Sequence, residues 1–286
     1  MTPGMKTGLS VADGTVGPSS TGTHDGSTAA HDDTQESLMG NGATADAGWA
    51  SGPLLGFDTE TTGLDVATDR IVTAAVVVRL PGVSTDVRTW LLDAGVDIPA
   101  EATAIHGITT EHARARGQAP AGALDQIASM LCAHVSRGVP LVAYNAAFDL
   151  SMLDAELRRH GLATLPERLG RPVVPVLDPL IIDRWQDAAR EGKRRLGDLR
   201  ALYDVGTVGD LHTADVDALV TLDVLDAQLA RFPHLRAVAL DALHAAQAVA
   251  YRAWASSVNE ERIASGVPAV SPAWPAEPAP PMRSIA

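Results

Sequence analysis

The chain has 286 residues, 46% of them hydrophobic and 4% aromatic, with a formal net charge of −13. That length holds one sizeable domain with tails or two small ones, and the apolar fraction, mostly Ala, Val and Leu, is enough for a real core. The acidic balance excludes a general nucleic-acid coat protein, which is normally basic, but not an enzyme that holds only the end of a strand.

Residues 1–50 are rich in Gly, Ser, Thr, Asp and His, with almost no large apolar residue before Trp49, and are expected to form a disordered N-terminal tail. The start carries no apolar segment of the secretory kind. No run approaches the ~20 apolar residues of a membrane span, so no membrane contact is expected. Cys132 is the only cysteine, which rules out a disulfide within one chain and fits a cytoplasmic location. It lies in a helical pattern and is expected to be a small buried apolar residue.

From residue 51 the pattern becomes that of a folded domain. "PLLGFDTE" reads as a short buried strand and "RIVTAAVVVRL" as a longer, β-branched one. Pro81-Gly82 marks a turn into a third strand, "VRTWLLD"; links this short favour antiparallel neighbours. "AGALDQIASMLCAHVSRG" is an amphipathic helix, "VPLVAYN" a fourth strand and "AAFDLSMLDAELRRHG" a second helix closed by Gly161. "PVVPVLDPLIIDRW" is a fifth strand running into a helix. Three further helices follow: "LGDLRALYDV", "TADVDALVTLDVLDAQLARF" and "LRAVALDALHAAQAVAYRAWASSV". A three-strand meander followed by alternating helices and strands predicts an α/β domain, a mixed sheet covered by helices, over residues 51–256. Residues 257–286, rich in Pro and Ala, are expected to be a flexible tail.

Acids occupy three places where this patterning expects core or plain surface. Asp58 and Glu60 end the first strand one residue apart, so their side chains share a face and repel each other. Asp149 follows the fourth strand where a helix begins, on the face of Met152 and Leu153. "LHTADVDAL" places His212 in a loop, with Thr213 as the expected N-cap and Asp217 in the first turns of the next helix. Helical period does not choose among Asp215, Asp217 and Asp223.

"FDTETTG", "YNAAFD" and "HTADVD" resemble, in this order, the three motifs of the DnaQ-like DEDDh 3′–5′ exonucleases. "IHGIT", "VLDPLIIDR" and "LGDLRALYDV" resemble connecting segments of that family, and the likeness extends over about residues 53–232, nearest to the epsilon-subunit branch of DNA polymerase III. The resemblance implies an RNase H-like fold, a five-stranded sheet with three antiparallel strands and then parallel ones, and makes 51–256 an exonuclease domain. It implies that Asp58, Glu60, Asp149 and Asp217 hold two divalent cations, Mg²⁺ or Mn²⁺, and that His212, five residues before Asp217, is the general base. Hard cations take carboxylate oxygens, and an imidazole is suited to take a proton near neutral pH. The implied reaction removes nucleoside monophosphates from a 3′ end of single-stranded or frayed nucleic acid, with DNA favoured through the epsilon branch. The rival readings are an RNA-directed enzyme of the same fold and a non-catalytic module for replication partners.

Four further residues carry two readings each. Thr61 and Leu64 either border the terminal nucleotide or form an ordinary loop. Asn145 either serves the second motif or stabilises a turn. His106 lines the nucleotide groove or packs beneath the site. Arg184, Arg190, Lys193, Arg194, Arg195 and Arg200 form a basic segment, either a phosphate track or a solvated loop. "QLARF" at 228–232 faintly resembles a sliding-clamp pentapeptide but ends a core helix, so Leu229 and Phe232 are expected to be packing residues; a separate DNA polymerase is the other partner the resemblance suggests.

Overall fold

A computed structural model describes residues 48–206, 209 and 211–276. Almost all of the expected N-terminal tail, residues 1–47, and the stretch 277–286 lie outside the described residues. Strands β1 (Leu54–Thr61), β2 (Ile71–Arg79) and β3 (Asp86–Leu91) come first, then helices α1 (Ala100–His106), α2 (Thr110–Arg116) and α3 (Pro120–Val135). Next are β4 (Leu141–Val142), α4 (Ala146–Arg159), α5 (Leu165–Leu169), β5 (Val176–Leu177), α6 (Pro179–Gln186) and α7 (Leu196–Leu202). The long helices α8 (Ala214–Arg231) and α9 (Leu240–Ala264) close the fold, separated by a 3₁₀ turn at Pro233–Ala237.

The sheet order is β3-β2-β1-β4-β5. β1, β2 and β3 pair antiparallel, whereas β4 joins β1, and β5 joins β4, in parallel. The expected RNase H-like mixed sheet is therefore present. Its two faces are both covered, which explains why β1 and β2 read as nearly continuous apolar runs. On one face Leu55, Phe57, Val76 and Val78 pack with Leu124, Ile127 and Leu131 of α3 and Leu150 and Leu153 of α4. On the other, Leu54, Val77 and Val142 pack with Ala218, Leu222 and Leu225 of α8.

Gly56 sits at the centre of this second face. A Cβ there would lie 3.1 Å from Leu222 Cδ1 and 3.3 Å from the Ala218 carbonyl oxygen. Glycine thus lets α8 approach β1 closely at the strand position next to Asp58 on the same face. Arg79 draws the other part of α8 onto β2, reaching Asp223 at 2.6 Å and Asp226 at 2.9 Å.

Several elements depart from the sequence expectation. α1, α2 and α5 have seven, seven and five residues, too few for a helical period to register. Local groups delimit them instead: Gly107 closes α1 at φ 77°, and the Thr109 side chain accepts the His112 amide at the start of α2. At the other end, α9 passes the expected boundary at 256. The chain then folds back: Asn259 donates to the Val270 carbonyl at 2.8 Å and accepts its amide at 2.7 Å. Trp274 is buried, its ring 4.9 Å from that of His244. Residues 257–276 are thus held to the domain rather than free. Leu229 is buried and Phe232 packs beside it, so "QLARF" offers no free peptide to a clamp. Cys132 is half-buried, its thiol pushed up by burial. No described helix is long and apolar enough to cross a membrane.

Candidate active site

Asp58 and Glu60 project from the last residues of β1 onto the face covered by α8, and Asp217 comes from the first turns of α8. All three are buried, at 3%, 4% and 1% exposure. Each offers one carboxylate oxygen, and these oxygens lie within 4.8 Å of one another. The close packing at Gly56 brings them together, because Asp217 immediately precedes Ala218 of the contact. Three carboxylates so close and so buried repel one another strongly when ionised. A hard divalent cation fits this all-oxygen donor set.

Asp149 stands outside that group of three and meets β1 at Thr59, whose side chain alternates to the opposite face. Parallel pairing with β4 covers β1 only at Leu55 and Gly56, so farther along the strand the Thr59 amide needs another acceptor. Asp149 Oδ1 accepts that amide at 3.0 Å and the Thr59 hydroxyl at 2.7 Å. The carboxylate is thereby fixed to the residue between Asp58 and Glu60. It occupies the first turn of α4, at the carboxyl end of the parallel strands, where open α/β sheets bind ligands.

Asn145 starts α4 in the left-handed region, φ 61° and ψ 47°, a conformation asparagine tolerates better than most residues. Its side chain makes no cap hydrogen bond, so the observed contribution is the turn. That turn is held by Asp178, which the sequence reading did not single out. Its carboxylate accepts the amides of Asn145 at 3.1 Å, Ala146 at 2.9 Å and Leu180 at 3.0 Å. Burial pushes the Asp178 carboxyl above its ordinary value, and the three amides pull the other way. Asp178 before Pro179 is a readable N-cap signal for α6, but nothing local signals its bonds to α4.

His212 precedes α8 at φ 88°, a left-handed backbone for a bulky residue, and its amide donates to Asp217 Oδ1 at 3.1 Å. The strained loop and the helical acid are thus tied to each other. Thr213 occupies the N-cap position without a side-chain cap bond. In the loop after β1, Thr61 Oγ1 donates to the Gly63 carbonyl at 2.7 Å. Asp69 closes this loop by accepting the Thr62 hydroxyl and the Asp65 amide, both at 2.8 Å, while Leu64 is 43% exposed. His106 is buried, and its Nδ1 accepts the Ile108 amide at 3.1 Å, which ties the end of α1 to the following loop.

The basic segment divides in two. Arg190 and Arg194 both donate to Asp183, a carboxylate with no exposed surface, and Tyr203 donates to its other oxygen at 2.9 Å. Arg184 stacks on Trp254 with its guanidinium carbon 3.8 Å from the ring centre. Arg190 and Arg194 therefore serve the packing around α6 and α7, because a buried acid must be neutralised, while Arg184 ties α6 to α9. Lys193 is exposed, and Arg195 and Arg200 are half-exposed.

A mixed sheet that gathers buried acids at the end of its central strand defines the class of DnaQ-like 3′–5′ exonucleases. The chain belongs to the exonuclease family: the RNase T exonuclease family model matches residues 55–225. It is 30% identical over 167 residues to the PolC-type DNA polymerase III of Streptococcus agalactiae, covering 58% of this chain and 10% of that one. It is 36% identical over 140 residues to a DNA polymerase III subunit epsilon-like protein of Rhodobacter capsulatus, covering 48% of this chain and 18% of that one. The chain thus spans only a small fraction of these relatives. Among solved structures, E. coli Exonuclease I in complex with a dA16 oligonucleotide shares the fold with a TM-score of 0.56 and 21% identity, over 65% of this chain and 42% of that one.

Proposed function

We propose that the chain hydrolyses the terminal phosphodiester of single-stranded or frayed DNA 3′ ends and releases nucleoside monophosphates. The observation that carries this reading is the cluster of Asp58, Glu60 and Asp217 at the end of β1, with Asp149 fixed beside it through Thr59. Two divalent cations, Mg²⁺ or Mn²⁺, held by these four acids would supply positive charge for the attacking water and for the leaving 3′ oxygen. His212 takes the proton of that water, and the hydrogen bond that its backbone amide donates to Asp217 orients the loop that carries it. Thr61 and Leu64 border the terminal nucleotide, Leu64 offering an apolar surface to a base. Lys193, Arg195 and Arg200 contact the phosphates behind it.

DNA is the proposed strand because the polymerase relatives and the dA16 complex of Exonuclease I concern DNA. Association with a separate DNA polymerase is proposed from the same relatives, and a cytoplasmic location from the single cysteine of the sequence. The experiment is a panel of matched 3′ ends (single-stranded, mismatched and paired, in DNA and in RNA) with the metal-free protein, then with Mg²⁺ or Mn²⁺. Mononucleotide release from single-stranded and mismatched DNA, stopped by EDTA and restored by either cation, is expected. Faster release from RNA would reassign the substrate, and release unaffected by EDTA would refute the metal reading.

A further inference from the structure

Helix α9 lies wholly beyond the residues that the family model matches, yet it reaches the support of the site. Gln247 on α9 is fully buried, and its Oε1 accepts the Asp178 amide at 2.7 Å. Its Nε2 donates to the carbonyls of Val176 and Leu243, each at 3.2 Å. Three residues earlier, His244 Nδ1 accepts the Val176 amide at 3.1 Å. β5 has only two residues and is an edge strand, so its outer side is satisfied by side chains of α9 in place of another strand. Asp178 follows β5 directly and passes the restraint on: its carboxylate holds the Asn145 and Ala146 amides, and three residues later Asp149 binds Thr59.

We propose that Gln247 is a positioning residue for the exonuclease reaction, acting through Asp178 to set Asp149 against Asp58, Glu60 and Asp217. This rests on the metal-dependent reading of those acids. Gln247 is suited to the task because one amide both accepts and donates, closing the bonding of β5 and Asp178 without bringing a second charge beside that carboxylate. A hydrophobic residue of equal length would fill the same volume and leave the Asp178 amide buried without its acceptor. The helix then packs, but the start of α4 loses its reference point.

The test compares the full chain with its Gln247→Met variant. Supporting groups of this kind change metal affinity or activity about 10- to 100-fold. At a temperature where both proteins are fully folded, kcat on a single-stranded DNA 3′ end is expected to fall about tenfold with KM within about twofold. Calorimetric titration of the metal-free proteins with Mn²⁺ is expected to give about tenfold weaker binding for the variant. Asn259→Ala, on the same helix but facing Val270, is expected to lower the melting temperature and leave kcat unchanged. If Gln247→Met does not fold, Asp178→Asn, which keeps the volume and one acceptor, is read in the same way. Wild-type kcat together with wild-type Mn²⁺ affinity in the folded variant would overturn the proposal. If the wild type binds Mn²⁺ but releases no nucleotide, the functional reading falls, and the Mn²⁺ titration alone still decides the role of Gln247.

Discussion

Asp217→Asn is expected to slow nucleotide release from a DNA 3′ end by roughly 10³-fold, which corresponds to about 4 kcal/mol of lost transition-state stabilisation. The variant keeps the volume of the side chain and an acceptor for the His212 amide, so the loop and α8 stay in place. What changes is one of three negative charges whose oxygens lie within 4.8 Å. In EDTA the variant should therefore melt at or above the wild-type temperature, because repulsion inside a buried site is relieved. With Mn²⁺ added, only the wild type should gain stability, since a ligand stabilises the folded state in proportion to its affinity for it. A variant that melts lower in EDTA would show that Asp217 acts through packing. Nucleotide release within tenfold of wild type would show that it does not hold the cation.

The second large effect concerns stability and leaves the chemistry alone. Asp183→Ala is expected to cost about 3–5 kcal/mol, because removing one partner of a buried ion pair strands the other. Here two guanidinium groups, those of Arg190 and Arg194, and the Tyr203 hydroxyl converge on a carboxylate with no exposed surface. Burial also pushes the Tyr203 hydroxyl up, so it remains a donor throughout the working range of pH. Urea unfolding of the two proteins measures the difference. A loss below about 1 kcal/mol would mean that the arginines find water or other partners as exposed pairs do. Turnover per folded molecule is expected to stay near wild type, since Asp183 supports α6 and α7 and does not touch the acids.

The site was more legible in the sequence than its support. Asp58 and Glu60 share a face because strand residues alternate, and the His212–Asp217 spacing straddles a helix start; both are local facts that a sequence records directly. Asp149 was placed on α4, but its bond to Thr59 depends on where β4 stops pairing, which no local pattern specifies. Asp178 meets Asn145 across 33 residues and Gln247 across 69, and separations of this kind leave no periodic trace. The basic segment misled for the same reason: from sequence Arg190 and Arg194 are surface charges, and only the buried Asp183 turns them inward. Composition predicts a flexible tail from residue 257, yet within the described part, 257–276, Trp274 is buried against the domain. Gly56 read simply as one residue of a strand; its role in admitting α8 depends on the helix that lies over it.

The polarity of degradation tests the central claim most directly. A single-stranded DNA labelled at its 5′ end is incubated with the wild type and with Asp58→Ala in the presence of Mn²⁺. The wild type is expected to produce a ladder of products shortened one nucleotide at a time from the 3′ end, and Asp58→Ala is expected to leave the strand at full length. Immediate release of the labelled 5′ nucleotide, internal cuts without a ladder, or an unchanged ladder from Asp58→Ala would contradict the account.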